Sequence, residues 1–104
     1  MTYCLILSNT NSIENAKLIA NTLIKDKLAA CVNIVPQIKS IYYWNNEITE
    51  DDEYMMLIKT KNELFSEVKE KITQLHPYEV PEIISVNISE GSDNYLQWIN
   101  NCTK

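Results

Sequence analysis

The densest set of chemistry-bearing side chains is a run of seven residues, His76-Pro77-Tyr78-Glu79-Val80-Pro81-Glu82. It holds the only histidine of the chain, one phenol and two carboxylates. Imidazole nitrogen suits copper and zinc, and carboxylate oxygen suits harder cations. Two prolines restrict the backbone between these groups, so the loop would present His76, Tyr78, Glu79 and Glu82 at set positions. A structural role accounts for the same residues. A histidine at a helix C-terminus interacts favourably with the helix dipole, and prolines punctuate a helix-to-strand connection. Spacing alone leaves both readings open.

Cysteine is the other candidate. Cys4, Cys31 and Cys102 are widely separated and odd in number, which makes no disulfide framework. With no C-x-x-C, no H-x-x-x-H and one histidine, a closed zinc site within one chain is not expected. A metal site would have to pool His76 or glutamates from several chains. Cys31 could act as a nucleophile only with His76 about 3 Å away as its base, and no local signature supports that pair. At the head of an apolar strand it reads instead as a small hydrophobe. The acidic run Glu47 to Glu53 reads as solvated surface.

The elements that must position these groups follow from periodicity. Thr2 to Ser8 is a short apolar run, read as a buried strand. Asn11 or Ser12 can cap a helix from Ile13 to about Leu28, whose apolar face is Ala16, Ile19, Ala20, Leu23 and Ile24. Cys31 to Thr60 is read as a hairpin turning at Asn45-Asn46, with Val32, Ile34, Ile38, Tyr42 and Trp44 on one buried face. Thr60 and Glu63 match a capping box for a second helix with Leu64, Phe65, Val68, Ile72 and Leu75 inward. That helix ends at His76 because Pro77 follows. Glu82 to Ser89 is a fourth strand, Gly91 breaks it, and Ser92-Asp93 open a terminal helix. The order β-α-β-β-α-β plus a helix is an α+β, ferredoxin-like arrangement in a single domain over 1-104.

One element is too long. The arm from Cys31 to Trp44 spans ~46 Å if straight, at ~3.3 Å per residue. A compact domain of this size is about 34 Å across. The hairpin must bend, with a bulge at Pro36, or reach into another subunit. Its far end carries Tyr42, Tyr43 and Trp44, of a type enriched at interfaces. Strands apolar on both faces also need a second cover, and sheet packing between subunits would supply it.

Composition narrows the function. The 104 residues carry a net charge of −5, which leaves no basic footprint for nucleic acid. No apolar run reaches the ~20 residues of a membrane span, and no signal-peptide pattern opens the chain. A cytoplasmic protein with reduced cysteines is expected.

Five stretches then carry a resemblance: ACVNI (30–34), SIYYW (40–44), MLIKT (56–60), HPYEVPE (76–82) and DNYLQWI (93–99). Together, in this order, they resemble the CutA family of divalent-cation-tolerance proteins. The resemblance implies a homotrimer with interlocking hairpins, similar in shape to PII signalling proteins, with Tyr42, Tyr43 and Trp44 at its interface. It also implies a tie to Cu2+ or another divalent cation, for which His76, Cys31, Glu79 and Glu82 are the candidate ligands. Some members carry a second cysteine where this chain has Ser8, which removes one thiolate here. No catalytic residues and no further cofactor are expected. The alternative is a PII-like module that anchors a protein partner or senses a small ligand; the lack of a glycine-rich loop counts against nucleotides.

Overall fold

The computed structural model describes residues 1–104. Its elements run β1 (Tyr3–Thr10), α1 (Ile13–Lys25), β2 (Cys31–Trp44), β3 (Glu47–Lys61), a 3-10 turn (Asn62–Leu64), α2 (Phe65–Leu75), β4 (Ile84–Ile88) and α3 (Asp93–Cys102). The strands form one antiparallel sheet in the order β2-β3-β1-β4. This is the expected ferredoxin-like order, with α1 and α2 laid against one face.

That face is the core. Cys4 and Ile6 of β1 and Met56 and Ile58 of β3 meet Ala16, Ile19 and Leu23 of α1 and Val68 and Ile72 of α2. Each large aliphatic side chain fully buried there contributes about 1.5–3 kcal/mol. Ser8 lies on the same face, wholly buried, and its hydroxyl has no hydrogen-bond partner. The opposite face has no helix α1 or α2 over it. Direct cross-strand partners share a face, so Leu5 stands there with Val86, and Leu7 with Leu57 and Ile84. Val86 and Ile84 are about half exposed.

The helix ends show how local chemistry sets their bounds. Ser12 caps α1 by accepting the Asn15 N–H at 3.1 Å. The helix stops at Lys25, short of Leu28, because Lys27 enters the left-handed region at φ 58°. The Leu28 N–H then bonds to Leu23 O and the Lys27 N–H to Ile24 O, a Schellman closure with lysine where glycine is usual. Thr60 and Glu63 do not form the expected capping box. Thr60 remains in β3 and donates its hydroxyl to Leu28 O at 2.7 Å, and α2 begins after the 3-10 turn with no side-chain cap.

The hairpin behaves as its length requires. Trp44 pairs with Glu47 across a two-residue turn in which Asn45 and Asn46 both have positive φ. The molecule is 45 Å along its longest axis against 25 and 22 Å across. A bulge falls where Pro36 predicts it: Val35 pairs with Met55 and Ile38 with Glu53, so Pro36 and Gln37 together face Tyr54. This corrects the reading of β2 as having one apolar face. Before the bulge, Val32 and Ile34 pack against the core. Beyond it, Ile38, Tyr42 and Trp44 pair with odd-numbered residues of β3, which belong to the opposite side.

Replacing Lys27 by glycine removes the left-handed strain, which outweighs the entropy glycine adds to the unfolded chain. We expect Lys27→Gly to raise stability by about 0.5–1 kcal/mol in urea unfolding. An unchanged or lower midpoint would show that the turn is unstrained.

Candidate functional site: an acidic groove beside the bulged hairpin

Residues 76–83 are held where β1 ends and β3 runs on without it. The last β1–β3 pair is Thr10 with Tyr54. Asn15 of α1 ties this corner together, since its side chain accepts from the Thr10 hydroxyl at 2.6 Å and donates to Leu75 O at 3.0 Å. The second bond satisfies a carbonyl that the end of α2 leaves free. Pro77 then forces His76 into extended backbone, at ψ 139°, and the chain turns back toward the hairpin.

His76 is buried, 8% exposed, and both ring nitrogens are engaged. Nε2 lies 2.6 Å from Asn9 O, which can only accept, so Nε2 carries the hydrogen. Nδ1 accepts the Tyr78 N–H at 3.1 Å. The Tyr78 ring meets the imidazole edge-on at 4.7 Å, and its hydroxyl donates to Glu53 Oε2 at 2.6 Å. Burial, followed by the bond to Glu53, pushes the Tyr78 phenol well above its ordinary value. Glu53 is the one carboxylate taken almost fully out of solvent, at 6% exposed.

Between the loop and the hairpin lies a groove of ≈ 890 Å³. Asp51, Asp52 and Glu53 line it from β3, Glu79 and Glu82 from the loop, and Ser40, Tyr42 and Trp44 from β2. Neither lysine, histidine nor cysteine is among its walls. Tyr42 donates its hydroxyl to Asp51, and that bond raises its phenol above the ordinary value. Lys39 reaches Asp52 at 2.6 Å on the exposed surface. Glu82 is raised above the usual carboxylate range, first by burial and then by the charge of Glu53. The groove is therefore short of positive charge.

The structure brings together Glu79 and Glu82 of the sequence candidates and sets the other two apart. His76 stands behind the groove as the clamp of its loop. Cys31 is half-buried at the opposite end of β2, paired with Lys59, with its Sγ 3.8 Å from Asn33 Oδ1. The row of Cys31 and the row of Asn9 are four residues apart, about 13 Å along the strands. A Cys31–His76 catalytic pair is not formed. Cys4 is a core residue whose thiol is pushed up by burial. The acidic run was the missed part. Asp51 and Glu53 alternate with Asp52 and continue the face of Met55 and Leu57, a period-two signal that was there to be used.

A family profile described as "CutA1 divalent ion tolerance protein" matches residues 4–102. The "Divalent-cation tolerance protein CutA" of Thermus thermophilus is 47% identical over 94 residues, covering 90% of this chain and 91% of that one. "Protein CutA, chloroplastic" of Arabidopsis thaliana is 44% identical over 88% of this chain, which spans about half (50%) of that protein's length. Among solved structures, the Thermus thermophilus protein superposes with a TM-score of 0.96 at 44% identity, covering 98% and 99% of the two chains. CutA1 of Oryza sativa reaches 0.98 at 36% identity, covering 100% and 95%. The Thermus thermophilus protein is named for divalent-cation tolerance. A 37% identical structure from Archaeoglobus fulgidus is described as periplasmic. No helix here is long and apolar enough to cross a membrane.

Two outcomes test the geometry. Tyr78→Phe keeps the ring against His76 but strips Glu53 of its donor, and should cost about 1–2 kcal/mol in denaturant unfolding. Because Glu82 titrates higher in the folded chain than unfolded, the folded state binds the extra proton. Stability from this group is present below the unfolded value and falls as pH rises through the folded one. Glu82→Gln should flatten that fall and leave the variant more stable than wild type at pH 7, by less than about 1 kcal/mol for a solvated carboxylate. A steeper pH profile in the variant would overturn the assignment.

Proposed function

This chain belongs to the CutA1 divalent ion tolerance family, and from that premise we propose a homotrimeric protein that binds a divalent cation in grooves shared between its subunits. The observation that carries the reading is the groove itself: five carboxylates and no basic side chain in its walls. Single-sign walls of this kind raise the local concentration of counter-ions.

One chain does not complete an ion site, since no three histidine, cysteine or acidic side chains stand together closely enough to hold an ion. Neighbouring copies supply the rest. The hairpin end leaves Ile41, Tyr43, Trp44 and Ile48 facing outward, with Ile48 77% and Tyr43 69% exposed. The open sheet face adds Ile84 and Val86. Apolar surface on this scale is removed from water by packing on a second and third copy. Tyr42 and Trp44 then stand between the groove and the neighbouring subunit. The three free cysteines suit a reducing, cytoplasmic setting, and copper is among the cations to be tested.

Native mass spectrometry should report three times the 12.1 kDa chain mass. Val86→Asp, which puts a charge on the open face, should shift the population toward monomer. A monomeric wild type at micromolar concentration would defeat the assembly. Calorimetric titration with Mn2+, Mg2+ and Cu2+ should show binding that weakens about tenfold in Asp51→Asn, a groove-lining substitution on the exposed hairpin; no heat with any cation would remove the binding part.

A further inference from the structure

We draw no further inference here: the strongest candidate, the edge of β3 from Glu47 to Glu53 that runs past the end of β1 beside the groove, carries nothing, because nothing in the structure shows what covers it.

Discussion

Opposite Tyr54 the second strand has two residues, Pro36 and Gln37, and the remainder of the hairpin depends on that mismatch. Side chains on a strand alternate between faces, so one extra residue exchanges the faces of everything beyond it. Before the bulge, Val32 and Ile34 close the helical core. After it, Ser40, Tyr42 and Trp44 stand on the side of Asp51 and Glu53. Proline lacks the N–H that a ladder would need, and Gln37 takes the left-handed backbone, φ 56°, that accommodates the surplus residue. Without the bulge, Trp44 and Tyr42 would lie on the other face, and Ile41 and Tyr43 would take their side.

A second constraint sets the opposite wall. Pro77 ends α2, and the backbone that follows must be tied down by something other than a helix. Asn15, His76 and Tyr78 do this in sequence, bonding Leu75 O, Asn9 O and Glu53 in turn. The chain of bonds runs from α1 to the hairpin across the end of β1. It uses both nitrogens of the only imidazole. The cost of burying the Glu53 carboxylate is offset by a donor of fixed geometry, as a buried charge requires.

The gap between the two walls is a region of unbalanced charge. Of the lysines in ion pairs, only Lys39 meets a groove carboxylate, Asp52, on the exposed surface; the others engage Asp26 and Glu67 elsewhere. Glu82 is pushed upward first by burial and then by the charge of Glu53. The half-exposed Ile84 and Val86 of β4 stand on the sheet face that α1 and α2 leave uncovered.

Local chemistry in the sequence determined much of this protein. Helical spacing and the Ser12 cap set α1, Asn45-Asn46 set the turn, Pro77 ended α2, and the mismatch between strand length and domain size pointed to a hairpin that leaves its own domain. Each is decided by neighbours within a few residues, where propensity and sterics act alone. Tertiary structure decided what depends on distant partners. Thr60 met Leu28 O and was lost as a cap, and the bulge moved Tyr42 and Trp44 to the other face. His76 read as a ligand because a sequence lists an imidazole without saying what lies against its nitrogens. Asn9 is 67 residues away in the chain and 2.6 Å away in space, and that contact fixes the imidazole at the base of the HPYEVPE loop.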